Sequence, residues 1–308
     1  MALLFFSEDD DPVAWSAALR ARLPDLDIRV WPAIGSPEEI EAALVWLPPP
    51  GLLASLPRLR AIFSLGAGVD AMLADPTLPD LPLCRMVDPS LTATMAEYVL
   101  ACVLWYHRQF DVYARQQAER RWKLHLPGPA AATRVGVMGL GVLGSATAAT
   151  LAAHGFTVRG WSRTPRAVAG VECFAGQPGL GTFLAGADIL VCLLPLTRET
   201  EDILNAALLD RLPEGARLIQ VGRGRQLVEA DLLAALDTGR LVHATLDVVR
   251  EEPLPPAHPF WTHPRIRLTP HSASYCQPAT GAATVAENIR RLRDGRALLH
   301  VVDRQRGY

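Results

Sequence analysis

Three ionisable side chains follow short apolar runs in the C-terminal half of the chain. They are Arg223 in LIQVGRGRQ, Glu252 in LDVVREEP and His271 in IRLTPHSAS. A guanidinium can hold a carboxylate through two parallel hydrogen bonds and also stabilise negative charge on a nearby carbonyl oxygen. An imidazole whose second nitrogen is bonded to a carboxylate can protonate that oxygen near neutral pH. Because a carbonyl needs this charge and this proton when it accepts a hydride, the set predicts carbonyl reduction.

The spacing alone leaves alternatives open at two of these positions. Arg225 can replace Arg223, and Glu251 can replace Glu252, because each pair lies on one short loop. Arg223 can also serve only to satisfy loop carbonyl groups. The chain has eight histidines, and among them His271 alone follows a predicted strand with an acidic candidate nearby.

A glycine pattern precedes these residues. Gly139, Gly141 and Gly144 form G-x-G-x-x-G between the strand-like RVGVM and the alanine-rich SATAATLAAHG. In this setting the first glycine permits a tight turn, the second lets the backbone approach a pyrophosphate, and the third allows close helix–strand packing. The N-terminus of the following helix supplies N–H groups for the phosphate charge. The pattern therefore predicts a dinucleotide site, with Val142 and Leu143 inside the loop.

The end of the next predicted strand, FTVRGW, indicates which dinucleotide binds. In NAD-binding versions of this unit, an acid about 20 residues on accepts a hydrogen bond from the ribose 2′-hydroxyl. Here Ser162, Arg163 and Arg166 follow the strand, and no acid is present to repel a 2′-phosphate. One hydrogen bond to a charged group contributes about 1.5–3 kcal/mol, which is a preference of roughly tenfold to a hundredfold. We predict NADPH as the preferred cofactor, with NADH possible; the alternative is that both arginines are solvated surface cations.

The N-terminal half offers groups that can complete a substrate site. Gly66, Ala67 and Gly68 follow the apolar run RAIFSL, where backbone N–H groups without bulky side chains can approach an anion. Trp46, in LVWLPPP, follows another such run and can cap a small substrate. Core packing explains the tryptophan equally well, and an ordinary loop explains the glycines.

These residues need strands that end at a common edge. Short apolar runs alternate with helical patterns, first over residues 2–87 and again from residue 134 onwards, which predicts two consecutive α/β units with parallel sheets. Between them, residues 93–122 predict one or two long helices, followed by a Pro/Gly-marked linker, HLPGPAAAT, that fits a domain boundary. A last helix, stopped by Gly295, is expected to pack on the first domain.

Composition and charge exclude several classes of protein. The chain has 308 residues, 50% of them hydrophobic, and a net charge of −2. These values exclude a disordered chain and give no reason to expect nucleic acid or a membrane as partner. Five scattered cysteines without C-x-x-C spacing favour reduced thiols in the cytoplasm and no metal site. The N-terminus lacks a basic start and a long apolar segment, so no signal peptide is expected.

The motifs, in this order, resemble the D-isomer-specific 2-hydroxyacid dehydrogenase family, through GLGVLG, LLPLT, VGRGRQLVEADLLAAL, LDVVREEPLP and TPHSAS. The resemblance spans nearly the whole chain and implies an α/β fold of two Rossmann-like, doubly wound parallel-sheet domains. A flavodoxin-like substrate domain is expected over residues 1–98, completed by 273–308, and an NAD(P)-binding domain over 99–272. The resemblance also implies NADPH-dependent reduction of small 2-keto acids such as glyoxylate and hydroxypyruvate, in a homodimer to which residues 109–122 contribute.

The same resemblance implies roles for individual residues. Arg223 matches the catalytic arginine, Glu252 the glutamate that supports the histidine, and His271 the acid/base histidine, which settles both near-neighbour choices. The substrate carboxylate is expected on the main-chain N–H groups of Ala67 and Gly68.

Further positions match the cofactor site of the family. Asp247 matches a position associated with the nicotinamide carboxamide. Three residues are expected along the adenosine half of the cofactor: Leu194, Pro195 and Thr197. Two residues depart from the family, since many relatives have asparagine at the position of Gln220 and alanine or serine at that of Gly222. A longer side chain and a freer backbone there are expected to loosen the placement of the arginine.

Two other functions stay open. One is a dinucleotide-sensing regulator that keeps this fold without turnover, and the other is a dehydrogenase of the family with a different 2-hydroxy acid, such as phosphoglycerate. The joint presence of Arg223, Glu252 and His271 favours an enzyme over a regulator.

Overall fold

The computed structural model describes all 308 residues and divides the chain into two compact units. The first contains Met1–Leu91 together with Cys276–Tyr308, and the second contains Thr92–Tyr275. The first unit is therefore discontinuous. The division lies a few residues from the limits expected at 98 and 273. The first change from one unit to the other, between Leu91 and Thr92, lies inside one continuous helix, Pro89–His107.

The first unit is built on a five-stranded parallel sheet. Its strands are β1 (Ala2–Phe6), β2 (Asp27–Val30), β3 (Ile40–Val45), β4 (Ala61–Ser64) and β5 (Leu83–Cys84). They lie in the order β2-β1-β3-β4-β5, which is the order of flavodoxin-like sheets. Every residue of β1 is buried, and this is why the strand appears in the sequence as an unbroken apolar run.

The α-helices of the chain are α1 (Pro12–Arg20), α2 (Asp70–Leu73), α3 (Pro89–His107), α4 (Phe110–Ala118), α5 (Val142–Ala153), α6 (Gly176–Ala185), α7 (Ala206–Leu209), α8 (Glu229–Asp237) and α9 (Pro278–Arg293). α1 begins where the Asp11 carboxylate accepts a hydrogen bond from the Val13 N–H (2.8 Å). α9 packs on α1 so closely that a Cβ placed on Gly281 would lie 2.8 Å from the ring of Trp15. The C-terminal helix thus belongs to the first unit, and it ends just before Gly295, whose φ is +68°.

The second unit is built on a seven-stranded parallel sheet. Its strands are β6 (Arg134–Met138), β7 (Thr157–Ser162), β8 (Val171–Ala175), β9 (Ile189–Cys192), β10 (Ala216–Gln220), β11 (Leu241–Leu246) and β12 (Ile266–Leu268). The order is β12-β11-β10-β9-β6-β7-β8, a Rossmann arrangement whose direction of winding reverses between β6 and β9. The two parallel α/β sheets confirm the predicted fold class.

Successive residues of the central strands fill two separate cores. Val137 of β6 and Val191 of β9 belong to the core beneath α3 and α5. Leu190 of β9 and Phe183 of α6 belong to the core on the opposite face of the sheet. Burying one such side chain contributes about 1.5–3 kcal/mol, so both faces hold the strand ends in place. None of the helices combines the length and apolar character needed to cross a bilayer.

Some local features differ from the sequence expectation. The Pro/Gly-marked segment at residues 125–133 lies inside the second unit and does not mark the boundary, which falls within α3 instead. The helical segment before it is divided at Gln109, whose backbone is left-handed (φ 57°). β8 was not predicted, because it is a partly buried edge strand without a continuous apolar run.

Candidate active site

The carboxyl ends of three neighbouring strands carry the predicted reacting groups. β10, β11 and β12 are adjacent and parallel. Arg223, Asp247 and His271 follow them within three residues, and Glu252 lies on the loop after β11. The second unit therefore places these four side chains on loops at one edge of the sheet, where ligands of open α/β sheets bind.

His271 and Glu252 form a hydrogen-bonded pair. His271 Nδ1 lies 2.8 Å from Glu252 Oε2, and the two side chains are 38% and 37% exposed. The second carboxylate oxygen, Oε1, accepts a hydrogen bond from the Val249 N–H (3.0 Å). Burial acts to raise the pKa of Glu252, but the hydrogen bond and charge of His271, the Val249 N–H and the charge of Arg223 hold this pKa below its ordinary value. The carboxylate is thus ionised at neutral pH and faces one imidazole nitrogen, which leaves Nε2 for a ligand.

Asp247 holds the loop that carries His271. Its carboxylate accepts hydrogen bonds from the Thr269 hydroxyl (2.6 Å), the Ser272 N–H (2.8 Å) and the Ala273 N–H (2.9 Å). Its backbone carbonyl accepts the His271 N–H (2.8 Å). His271 has a left-handed backbone with φ of 51°, which residues other than glycine adopt infrequently. These bonds hold an unusual backbone in one conformation, and the histidine ring with it.

Arg223 lies on the loop after β10, beside the pair. Its charge contributes to the low pKa of Glu252, and its Nη1 donates a hydrogen bond to the Gly222 carbonyl (2.8 Å). The next residue, Gly224, contacts the loop after β11 so closely that a Cβ there would lie 1.9 Å from the Val249 carbonyl carbon. The loops that carry the arginine and the glutamate therefore pack directly against each other.

Arg225 and Glu251, the alternative candidates from the sequence, have different contacts from Arg223 and Glu252. Arg225 forms an exposed ion pair with Glu201, at 2.6 Å. Glu251 and Glu252 are both exposed, and Glu252 is the residue that contacts His271. The geometry therefore brings together Arg223, Glu252 and His271, the set that the sequence singled out.

The three glycines of the dinucleotide motif have three different local requirements. Gly139 has a φ of +104°, and a Cβ there would lie 2.6 Å from the Leu193 carbonyl oxygen. At Gly144 a Cβ would lie 1.7 Å from the Gly139 carbonyl oxygen, so only hydrogen fits. At Gly141 a Cβ would have no neighbour within 4 Å, so this glycine is not needed for packing. Gly141 is the N-cap residue of α5, and the space beside its backbone leaves room for the phosphate that the motif predicts.

The residues around this loop fit a dinucleotide with a 2′-phosphate. Arg163 and Arg166 are exposed just after β7, and the end of this strand carries no carboxylate. Ser162 is buried, and its hydroxyl donates a hydrogen bond to the Thr164 carbonyl (2.7 Å), so it shapes the turn. The loop side chain of Val142 is 47% exposed.

The predicted adenosine segment lies across the sheet reversal from the glycine loop. β9 pairs with β6, and the Leu193 N–H donates a hydrogen bond to the Met138 carbonyl (2.8 Å). Leu194 and Pro195 follow directly. The Thr197 hydroxyl donates a hydrogen bond to Glu199 (2.8 Å). This bond is the main cause of a lowered pKa at Glu199, to which the charge of Arg163 also contributes, so the Arg163 loop and this segment are neighbours.

In the first unit, the predicted anion loop and Trp46 contact each other. A Cβ placed on Gly66 would lie 2.2 Å from the Trp46 ring, which explains the glycine. The Gly66 N–H donates a hydrogen bond to the Ser64 hydroxyl (3.1 Å). Neither Ala67 nor Gly68 uses its N–H in a hydrogen bond within the protein, so both donors are available to an anion.

One structural role and one buried residue of the site were not predicted from the sequence. The role of Asp247 as the anchor of the His271 loop was not recognised, because its four hydrogen bonds join residues that are separated by more than 20 positions. Gln226, which is fully buried and accepts a hydrogen bond from the Arg223 N–H (2.8 Å), was also missed. Its position three residues after the arginine, a capping-box spacing, was the available signal.

Comparisons with known proteins identify the family of the chain. A family model for the NAD-binding domain of D-isomer specific 2-hydroxyacid dehydrogenases matches residues 100–273. Glyoxylate/hydroxypyruvate reductase A of Yersinia enterocolitica is 43% identical over 314 residues, with both chains covered completely. The protein of the same name from Photorhabdus laumondii is 44% identical, again over the full length of both.

Two solved structures are similar over the whole chain. One is a D-isomer specific 2-hydroxyacid dehydrogenase from Xanthobacter autotrophicus in complex with NADPH, with 48% identity, a TM-score of 0.96 and coverage of 100% and 99%. The other is the NADPH-dependent glyoxylate/hydroxypyruvate reductase of Sinorhizobium meliloti in complex with NADP and sulfate, with 40% identity, a TM-score of 0.93 and the same coverage.

A doubly wound dinucleotide-binding sheet with an arginine and a histidine–glutamate pair at its ligand edge defines an NAD(P)-dependent oxidoreductase. The chain belongs to the D-isomer-specific 2-hydroxyacid dehydrogenase family.

Proposed function

We propose that this protein is an NADPH-dependent reductase of small 2-keto acids, which converts glyoxylate to glycolate and hydroxypyruvate to D-glycerate. The observation that carries the proposal is the His271–Glu252 pair, at 2.8 Å, with Arg223 beside it at the ligand edge of a dinucleotide-binding sheet. The substrate class is supported by full-length relatives at 43–44% identity that bear this name.

The side chains of the second unit divide the chemical work. NADPH, held by the glycine loop and the residues after β7, would supply the hydride equivalent for the carbonyl carbon. Arg223 holds the substrate carboxylate and stabilises negative charge on the carbonyl oxygen. His271 Nε2 gives its proton to that oxygen, which completes the hydroxyl group, and solvent then reprotonates the ring. Glu252 accepts a hydrogen bond from Nδ1 and stabilises the imidazolium before transfer.

The remaining assignments concern binding. The free N–H groups of Ala67 and Gly68 are assigned to the substrate carboxylate, and Trp46, packed on Gly66, is assigned to limit substrate size. Asp247 is assigned to the nicotinamide carboxamide, in addition to its hold on the His271 loop.

The cofactor assignment rests on the same unit. The two glycines Gly139 and Gly144 fix the phosphate loop, and Arg163 with Arg166 is assigned to the 2′-phosphate of NADPH. NADH is assigned as the poorer cofactor because no carboxylate at the end of β7 can receive the 2′-hydroxyl of its ribose.

The protein is further proposed to act as a homodimer in the cytoplasm. The segment 109–122 and the residues after it expose the large apolar side chains of Phe110 (43%), Trp122 (103%) and Leu126 (80%), and exposed apolar surface of this kind supports an interaction surface here. Light scattering should give twice the mass of the chain, and a monomer would contradict the assembly. All five cysteines are free, which supports a reducing compartment.

A substrate panel tests the proposal. Glyoxylate, hydroxypyruvate, pyruvate and phenylpyruvate are each assayed with NADPH and with NADH, by the loss of nicotinamide absorbance. The two small polar keto acids with NADPH should give the highest kcat/KM. Turnover of none of the four would contradict the proposal and favour a dinucleotide-sensing binding protein.

A further inference from the structure

A fully buried glutamine connects the arginine loop to the segment after β9. The Gln226 side-chain oxygen accepts hydrogen bonds from the Arg223 N–H (2.8 Å) and from Gln220 Nε2 (3.3 Å). Its side-chain nitrogen donates to the carbonyls of Leu194 (2.8 Å) and Pro195 (3.0 Å). One amide group thus uses both of its ends, and each end contacts a different loop at the ligand edge of the sheet.

Gln220 and Gly222, where the resemblance implied a departure from many relatives, complete this arrangement. Gln220 is fully buried, and its Nε2 also donates to the Arg223 carbonyl (2.8 Å), so both peptide groups next to the arginine side chain are held. A Cβ on Gly222 would lie 2.4 Å from the Gln226 side-chain oxygen and 3.0 Å from the Leu194 carbonyl oxygen. Glycine at this position therefore makes room for the glutamine. The expectation that Gln220 and Gly222 loosen the arginine loop is not what the structure shows.

We propose that Gln226 is a positioning residue that couples the Leu194–Pro195 segment to Arg223, so that cofactor bound along that segment improves the hold of the arginine on the substrate carboxylate. This inference rests on the proposed function, because it takes Arg223 as the substrate-binding arginine and Leu194–Pro195 as part of the cofactor site.

The coupling is expected because the link that Gln226 makes between the Leu194–Pro195 segment and the arginine loop cannot adjust freely. Gln226 and Gln220 are both fully buried, and a buried polar network that is fully hydrogen-bonded restricts its members to one arrangement. On the opposite side, Gly224 contacts the Val249 backbone, so the arginine loop is held between two neighbours. A displacement of the Leu194 and Pro195 carbonyls is therefore passed to the Arg223 N–H through one rigid amide.

The test compares Gln226→Met with Gln116→Met. The first removes the amide at nearly constant length, and the second does the same at a buried glutamine that bonds His125 elsewhere in the unit. For each protein, the Kd of oxalate, a planar analogue of a 2-keto acid, is measured by calorimetry with and without saturating NADPH. Melting temperature and the Kd of NADPH alone are measured alongside.

Wild type and Gln116→Met should bind oxalate more tightly when NADPH is present. In Gln226→Met the NADPH-dependent gain in oxalate affinity should fall by about fivefold or more, a typical size for coupling between sites. The value of kcat/KM for glyoxylate should fall about tenfold. The Kd of NADPH alone should change by less than about threefold, which is below the size of the coupling. An equal gain in the two variants would overturn the inference. A wild type that turns over neither glyoxylate nor hydroxypyruvate would contradict the proposed function instead.

A second pair of variants protects the test against a folding defect at Gln226. Gly222→Ala should lower kcat/KM, because the new methyl group meets the Gln226 oxygen. In a Gln226→Ala background, Gly222→Ala should lower kcat/KM by a smaller factor, since the obstructing amide is gone. The effects of the two substitutions on kcat/KM should therefore be less than additive as free energies. Strictly additive losses in kcat/KM would show that Gly222 and Gln226 do not act as a unit and would overturn the inference.

Discussion

The proposed proton transfer requires that one imidazole nitrogen of His271 is held while the other faces the substrate. Since a positioned acid typically contributes about 10²–10⁴-fold in rate, His271→Gln should lower kcat by at least about a hundredfold while NADPH binding stays intact. The matched control is His258→Gln, which breaks a second His–Glu contact, to Glu229 at 3.3 Å. Stopped-flow turnover with glyoxylate and NADPH fluorescence titration measure the two properties. Comparable kcat values for the two variants would remove His271 from the mechanism.

The proposed cofactor preference also belongs to single residues, because it is assigned to one or two guanidinium groups after β7. Loss of one charged hydrogen bond costs about 1.5–3 kcal/mol, so Arg163→Ala should reduce the ratio of kcat/KM with NADPH to that with NADH by roughly tenfold to a hundredfold. Arg211→Ala, at an exposed arginine of the same unit, should leave the ratio as it is. If Arg163→Ala has the wild-type ratio, Arg163 does not select the phosphate.

The turn between β6 and α5 makes a prediction at the scale of elements, because its glycines differ in what surrounds them. Gly144→Ala places a methyl group 1.7 Å from the Gly139 carbonyl oxygen, and such overpacking costs about 1–3 kcal/mol. This variant should lose both melting temperature and NADPH affinity. Gly141→Ala has open space and should keep the melting temperature while it weakens NADPH binding.

Calorimetric unfolding and NADPH titration separate the two effects. Equal loss of stability in the two glycine variants would show that the loop is constrained in a different way from the structure. Full NADPH affinity in Gly141→Ala would show that the pyrophosphate does not approach this backbone.

The strands and the glycine loop could be predicted because their signals are local. Buried parallel strands such as β1 and β9 leave continuous apolar runs, whereas the partly buried edge strand β8 leaves none. In the candidate site, too, the residues with a local signal could be predicted and those without one could not. Arg223 and His271 stand directly behind apolar runs, but the contacts of Gln226 with Leu194 and Pro195 join residues about 30 positions apart. No local pattern encodes such a contact.

At the scale of the whole molecule, stability should depend on pH through His243, a partly buried histidine of β11. Burial lowers the pKa of His243 from 6.5 to about 4, with Asp111 acting to raise it and Arg217 and Arg267 to lower it. Its ring nitrogen Nδ1 lies 3.1 Å from the Tyr106 hydroxyl. The folded protein therefore prefers the neutral imidazole, whereas the unfolded chain takes up a proton near the ordinary value.

The unfolded state binds more protons between these two pKa values, so the free energy of unfolding rises with pH there. Stability is fully present above pH 6.5 and is progressively lost as the pH falls to about 4, a loss of about 3 kcal/mol from this one group. His243→Gln should flatten this part of the curve of unfolding free energy against pH, measured by urea titration from pH 8 to 4. His154→Gln, at an exposed histidine, should keep the wild-type slope. A slope that is unchanged in His243→Gln would assign the acid sensitivity to other groups.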